Sequence, residues 1–433
     1  MEIRDPIHGA MTLDAAELAV ADHAWVQRLR GIRATGFSQV PFPGATHSRY
    51  AHSLGVLHLA GLAFDRATAE WTFSSPRKRN VYRALVRMAA LTHDVGHGPF
   101  SHCIEFAMPD VQALALRSLR RAPLPRRATH EDYTVAILEQ TDLGATIDRN
   151  FPFSWRHVAA VISPDVRLED DLLMDGGLDI RPMLGQIVSS ELDVDRLDYL
   201  VRDAFYTGAR YGQVDVPWLM SNLGCWVVDG GLHLALDRAA LYAFDHFLLA
   251  RHHMFLMVYF HHKSVVYEEL LKRYMADGSD GWRIPSDLGA YLDVDDTHVL
   301  AHLRASKHPF AQRVVRHQPY KRVLERHGTA QATDLSASVA ALVSAGLDVI
   351  HTASAQRLSR YAAVGRKRRG APAIWVLPGA AGDRTGPATR LDEASRVFVR
   401  YADEHVIARI YVAPEARGEA RALLGLGDGP AAP

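Results

Sequence analysis

Leu91-Thr92-His93-Asp94-Val95-Gly96-His97-Gly98-Pro99-Phe100-Ser101-His102 is the stretch on which the reading of this chain turns. Residues 84–91 are apolar with helical spacing and end on adjacent histidine and aspartate. A segment broken by Gly96, Gly98 and Pro99 follows and carries two more histidines. Neighbouring residues on a regular helix point about 100° apart, so His93 and Asp94 can reach one ion only where the helix ends and the backbone loosens. The placement suits a metal or proton transfer. It also suits histidines that cap a last helical turn.

Two other segments extend the pattern. Upstream lies Thr46-His47-Ser48-Arg49-Tyr50-Ala51-His52-Ser53-Leu54-Gly55. Downstream, Glu191-Leu192-Asp193-Val194-Asp195-Arg196-Leu197-Asp198-Tyr199-Leu200-Val201-Arg202-Asp203 sets four aspartates in an otherwise apolar helical pattern. Buried carboxylates are costly unless paired or metal-bound. Asp195, Tyr199 and Asp203 are spaced by four and share one helix face. A solvated face, with Arg196 and Arg202 pairing the acids, is the alternative.

Around these segments the pattern is mainly helical, with helices expected within 15–34, 53–68, 81–93, 133–140, 155–162 and 187–204, and one long helix over 241–274. Residues 1–15 read as a small hairpin turning at 5–9. Residues 226–234 read as a second hairpin, with Asp229-Gly230 as its turn. The stretch 276–285, rich in Asp, Gly, Ser and Pro, reads as a boundary. The expected organisation is a core over 1–275 and a smaller mixed α/β region over 276–433, with helices at 297–305 and 335–345 and strands at 373–377 and 406–413. The tail 425–433 is expected to be disordered.

Composition narrows the function. Of 433 residues, 48% are hydrophobic and 23% charged, as in an ordinary globular chain. Basic and acidic residues balance at 49 each, which argues against a protein that coats nucleic acid. Two cysteines exclude a disulfide framework and a cysteine-based zinc site and fit a reducing compartment, so a cytoplasmic location is expected. The charged start, Met1-Glu2-Ile3-Arg4-Asp5, lacks the apolar core of a signal peptide. The most apolar stretch, 241–260, is interrupted by Asp245, His246, Arg251, His252 and His253, so no membrane span is expected.

The segments together resemble a known family. Arg49…His52, His93-Asp94 and Asp195 are similar to the H…HD…D signature of HD-domain phosphohydrolases. In order along the chain, DPIHG (5–9), QRLRGI (27–32), FPGATHSRYAHSLGV (42–56), HDVGHGPFSH (93–102) and DVDRLDYLVRD (193–203) closely resemble deoxynucleoside triphosphate triphosphohydrolases of the SAM-and-HD type, without the SAM domain. The resemblance covers about residues 1–275. It implies a mainly α fold, an all-helical HD core with small N-terminal and internal β-hairpins.

The resemblance also implies roles. His52, His93, Asp94 and Asp195 would hold one metal ion, and two imidazoles with two carboxylates suit iron, manganese, zinc or magnesium. Water would attack the α-phosphorus and release deoxynucleoside and triphosphate. Arg49, Arg196 and Arg251 would contact phosphates. His97, His102 and His130 would transfer protons, oriented by Glu105 or Asp193. Tyr199, Asp203 and Tyr259 would contact the sugar and α-phosphate, with His261 further along the same helix either beside them or a core or surface histidine.

Asp22, Gln27 and Arg30 would read an activating guanine nucleotide, GTP or dGTP, at the interface of a homo-oligomer, a dimer or tetramer; a solvated helix face is the alternative. Gly365-Arg366-Lys367-Arg368-Arg369-Gly370 could grip phosphates of an effector or of nucleic acid, or be an exposed loop. Ala51 stands where relatives often carry an acid before the ligand histidine. Ala34 stands where regulated relatives carry a glutamine near the sugar. Other HD activities (nucleotidase, phosphodiesterase, nuclease) and a weakly catalytic nucleotide sensor are the competing readings.

Overall fold

Helices dominate the computed structural model, which describes residues 1–356, 373–378, 386–400 and 404–427. The chain opens with an antiparallel hairpin of β1 (Glu2–Asp5) and β2 (Gly9–Thr12). Asp5 shapes its turn by accepting from the amides of Ile7 and His8, both at 2.9 Å. Two short helices follow, α1 (Ala15–Ala21) and α2 (Ala24–Gln27), then a 3₁₀ turn (Arg28–Gly31). The helical pattern over 15–34 is therefore divided, because Asp22 and His23 end one helix and start the next.

The centre of the molecule is α3 (Arg49–Ala67) against α4 (Pro76–Thr92). Each begins on a serine, Ser48 or Ser75, whose hydroxyl accepts from an amide of the first turn, and α4 adds Pro76 in that turn. α3 is apolar on nearly every face and is buried accordingly, with Val56, Leu57, Ala60 and Phe64 fully covered. Around this pair stand α5 (His130–Gln140), α6 (Asp142–Asn150), α7 (Trp155–Ile162), α8 (Arg181–Val188) and α9 (Val194–Thr207). The continuous helix expected over 187–204 is broken between α8 and α9: Asp193 accepts from the amides of Ser190 and Arg196 and acts as the N-cap of α9.

Short strands β3 (Met174–Asp175) and β4 (Leu178–Asp179) precede α10 (Val216–Ser221). The second hairpin, β5 (Leu223–Val228) and β6 (Gly231–Asp237), turns at Asp229 and Gly230, both with positive φ. The helix expected over 241–274 is three pieces: α11 (Leu241–Met254), a π turn (Phe255–Tyr259) and α12 (His262–Asp277). Past α12 the chain returns to the main core through Ile284, Tyr291, Val299 and Leu303, by way of α13 (Leu288–Leu292) and α14 (Asp296–Ala305).

β7 (Lys321–Gly328) and β8 (Val349–Gln356) flank β11 (His405–Val412) in an antiparallel sheet, while β9 (Trp375–Leu377) lies between β6 and β10 (Thr389–Arg390). Val323, Leu335, Leu342, Ile410 and Ala420 form a second, smaller apolar cluster at that three-stranded sheet. The basic loop 365–370 and the tail from 428 lie outside the described residues. Among the described residues no helix is long and apolar enough to cross a membrane.

Candidate metal centre and active site

α3, α4 and α9 carry to one place three segments far apart in sequence. His52 lies in the first turn of α3, His93 is the C-cap of α4, and Asp195 is in the first turn of α9. His52 Nε2 is 3.0 Å from Asp195 Oδ1 and 3.6 Å from Asp94 Oδ2. His93 Nε2 is 3.3 Å from Asp94 Oδ1 and 3.7 Å from Asp195 Oδ1. One ligand atom from each of His52, His93 and Asp195 falls within 4.8 Å of the others. Ligands held about 2.1 Å from one ion stand some 3–3.5 Å apart, so the spacing suits a shared cation.

The ring nitrogens are prepared for one. His93 Nδ1 is 2.7 Å from the carbonyl of Ala90 and donates to it. Its Nε2 is left buried with no hydrogen-bond partner. His52 Nδ1 is 2.7 Å from Asp198 Oδ2, which turns the Nε2 lone pair inward. Asp198 is fixed by Arg202 (2.8 Å) and by His8 Nε2 (2.6 Å). Burial alone would lower the pKa of His52, but its bonds to Asp195 and Asp198 push it up to about 10. Burial would raise Asp94, yet Arg49 and His93 hold its carboxyl well below the usual range. Asp195 is held low by His52 and His93 against the same opposition. A site that stabilises a proton on His52 this strongly offers a cation the same field.

A second cluster adjoins the first. His97 and His130 stack at 3.9 Å and 11°, and His102 stands edge-on to both. Glu105 Oε1 is 2.5 Å from His130 Nδ1 and 3.1 Å from His102 Nδ1. Burial works to raise the Glu105 carboxyl, but the two histidines hold it below the ordinary range. His97 is buried, with Nε2 3.3 Å from Asp94 Oδ1; burial, Arg49 and His130 together keep its pKa well below 6.5. It is therefore neutral near pH 7, while the His102 side chain is 64% exposed. Of the two carboxylates expected to orient these histidines, only Glu105 does so. Asp193 is spent on capping α9 and facing Arg196 at 3.5 Å.

The loop between the clusters is under strain. Phe100 and Ser101 both take positive φ, 55° and 61°, which costs of order 1–3 kcal/mol per residue. Gly96 is required for a different reason: a Cβ there would sit 2.1 Å from the His130 carbonyl and 2.4 Å from the Thr134 amide. Its missing side chain lets α5 deliver His130 onto His97.

The expected phosphate and sugar residues come from the start of α3, from α9, from α11 and from the π turn after it. Arg49 donates to Asp94 and, at 2.7 Å, to Ser101 Oγ. Arg196 is buried between Glu191 and Asp193, each at 3.5 Å. Tyr259 Oη donates to Asp203 Oδ2 (2.6 Å), and His47 Nε2 meets Asp203 Oδ1 (2.8 Å). Tyr199 stands edge-on to Tyr259, and Arg251 acts electrostatically on both phenols. His261 sits apart from this clamp as the N-cap of α12, edge-on to Phe42, where burial lowers it to about 4.

Near the N-terminus, Arg30 Nε donates to Gln27 Oε1 (2.7 Å) and its guanidinium lies 3.7 Å over the Tyr50 ring. Asp22 stands separately at the end of α1. Asp198, His47 and Ser101 are site residues that the sequence reading passed over as ligand partners. The signal for Asp198 was its spacing of four from Arg202.

A mainly helical fold that closes His52, His93-Asp94 and Asp195 into one metal-ready cluster defines the HD class, and the HD domain family matches residues 49–162. The HD associated region matches residues 214–353. The chain therefore carries an HD domain followed by an HD-associated region; HD domains bind divalent metal ions, and His52, His93 and Asp195 are positioned to hold one. It is 26% identical over 322 residues to the uncharacterized protein MJ1154 of Methanocaldococcus jannaschii, spanning 74% of this chain and 59% of that protein. It is 31% identical over 228 residues to the human deoxynucleoside triphosphate triphosphohydrolase SAMHD1, spanning 48% of this chain and 33% of the relative. The chain thus spans about half the length of the uncharacterized relatives it matches and a third of the triphosphohydrolases. Two solved structures share the fold: a hypothetical protein from Aquifex aeolicus (TM-score 0.74, 23% identity, 98% of this chain and 99% of that one) and a phosphohydrolase from Bacteroides thetaiotaomicron (TM-score 0.67, 21% identity, 95% and 99%).

Proposed function

We propose that this chain is a metal-dependent triphosphohydrolase that cleaves deoxynucleoside triphosphates to deoxynucleoside and triphosphate. The observation that carries the reading is a juxtaposition on α9. Asp195 of the metal cluster and Asp203, clamped between His47 and Tyr259, lie two helical turns apart on one face, with Arg196 and Arg251 beside them. That juxtaposition supports a reading in which a cation, guanidinium groups for the phosphates and a polar clamp for the sugar would lie in one line.

When bound by His52, His93, Asp94 and Asp195, the metal would supply Lewis acidity toward a phosphoryl oxygen and toward water. The chain's own residues would do the rest. Arg49, Arg196 and Arg251 neutralise the triphosphate. Attack by water forms a bond at the α-phosphorus and breaks the bond to the deoxynucleoside oxygen, which must gain a proton as it leaves. With Nδ1 turned to Glu105, Nε2 of His102 donates that proton. His130, on the same carboxylate, takes up the proton that water loses. Asp203, Tyr199 and Tyr259 hold the sugar. Gln27, Arg30 and Asp22 are the proposed place for an activating GTP or dGTP in a homo-oligomer.

The test is incubation with each dNTP and NTP under iron, manganese, magnesium and zinc, with products resolved by ion exchange. Triphosphate from dNTPs is the expected outcome. Pyrophosphate or phosphate would assign another HD-type nucleotidase, and no turnover under any metal would leave a nucleotide sensor.

A further inference from the structure

Arg28 is a buried guanidinium for which the mechanism above has no use. Among the described residues no carboxylate forms an ion pair with it. Its donors go instead to three backbone carbonyls: His97 at 2.8 Å, Val294 at 2.6 Å and Tyr291 at 3.2 Å. Tyr291 is fully buried, and its hydroxyl donates to the carbonyl of Gly96 at 2.9 Å. Asp296, also buried, accepts from the amide of Phe100 at 2.6 Å and from that of Arg33 at 3.1 Å. Three side chains from outside the catalytic segments thus grip three backbone groups, the carbonyls of Gly96 and His97 and the amide of Phe100, of the strained loop that carries His93, Asp94, His97 and His102. A loop with two left-handed residues keeps its shape only if its surroundings hold it there.

We infer that Arg28, Tyr291 and Asp296 are positioning residues, which fix the 93–102 loop so that the metal cluster and the histidine–glutamate cluster meet in register. The inference rests on the proposed function for the meaning of that register. Catalysis is sensitive to misplacements near 1 Å, so hydrogen bonds that hold the loop's backbone bear directly on rate. The segment 291–296 therefore supports the active site even though it contributes no side chain to it.

Tyr133 supplies a matched control. It is equally buried, its ring packs 4.2 Å from Tyr291, and its hydroxyl donates at 2.7 Å to the carbonyl of Pro285, not to the loop. Tyr291→Phe loses one buried hydrogen bond and Tyr133→Phe one partly buried hydrogen bond. In Tyr291→Phe, amide hydrogen exchange across 95–101 should quicken about tenfold, and kcat for dNTP hydrolysis should fall about tenfold with KM within about twofold. Tyr133→Phe should show neither change. Asp296→Ala should resemble Tyr291→Phe, and Asp296→Asn, which keeps an acceptor for Phe100, should recover part of the loss.

Equal loop exchange in the two tyrosine variants would overturn the inference, as would faster exchange with unchanged kcat. If the wild-type protein hydrolyses no nucleotide, the functional reading fails on its own. Loop exchange, together with the rate of metal loss to a chelator, then decides the positioning role: faster metal loss from Tyr291→Phe than from Tyr133→Phe supports it, and equal rates reject it.

Discussion

With His52 as a metal ligand, as proposed, a proton and a metal ion would compete for the same lone pair on it. In the metal-free protein His52 is pushed up to about 10, above its unfolded value of 6.5, by Asp195 and Asp198. Its contribution to stability is fully present below pH 6.5 and is lost as pH rises through 10. The melting temperature of metal-stripped protein should therefore fall across that window, and the slope should flatten once metal replaces the proton. Metal affinity should rise over the same range, which titration calorimetry at stepped pH would register. Alanine at His52, His93, Asp94 or Asp195 should remove bound metal and activity together; full metal content and turnover in Asp94→Ala would refute the ligand assignment. For proton transfer, His102→Ala should lower kcat by about 10²–10⁴ with metal content unchanged. If His130→Ala were inert while His102→Ala turned over normally, the donor would be His130.

Elements explain why some of this could be read in advance and some could not. The His-Asp pair at the end of α4 and the Asp195–Tyr199–Asp203 face were legible because both depend on local helical period alone. The break before α9 was not, since 189–193 holds no glycine or proline and the helix stops on side-chain capping by Asp193. The apolar run 254–260 hid the π turn in the same way. Strands β7 and β8 escaped notice because their alternation is weak: β7 reads Lys-Arg-Val-Leu-Glu-Arg-His-Gly, and it is pairing with β11 that makes it a strand. Contacts such as Arg28 to His97 depend on chain tracing that no local pattern encodes. At this scale Gly96→Ala should be severe. Its Cβ meets backbone atoms of α5 that cannot step aside, so overpacking of about 1–3 kcal/mol and separation of His97 from His130 should appear as a lower melting temperature and a large loss of kcat.

For the whole molecule the prediction concerns assembly. Gln27 and Arg30 already form a bonded pair on the Tyr50 ring, and Tyr50 adjoins Arg49 on α3. A guanine nucleotide bound there in an oligomer would stabilise the assembled state by mass action. Added GTP or dGTP should raise turnover of other dNTPs and shift the mass measured by light scattering toward dimer or tetramer. Unchanged rate and unchanged mass would leave an enzyme without this control. Chelation should lower the melting temperature, because an ion held by His52, His93, Asp94 and Asp195 would join α3, α4 and α9 across the centre of the core.

The π turn at Phe255–Tyr259 also acts as a phase offset. A π turn carries one residue more than the α-helical path it replaces, so everything after it is rotated about 100° from where α11 would have set it. Met257, 48% exposed, is a position where that extra residue could be removed without opening the core. Deleting it should let α11 run on as an ordinary helix. Tyr259 would then swing off Asp203 and the proposed sugar clamp would come apart, although the residues proposed to hold the metal would stay where they are. On the proposed function, the difference between holding a nucleoside and merely holding an ion would then be one amino acid of chain length.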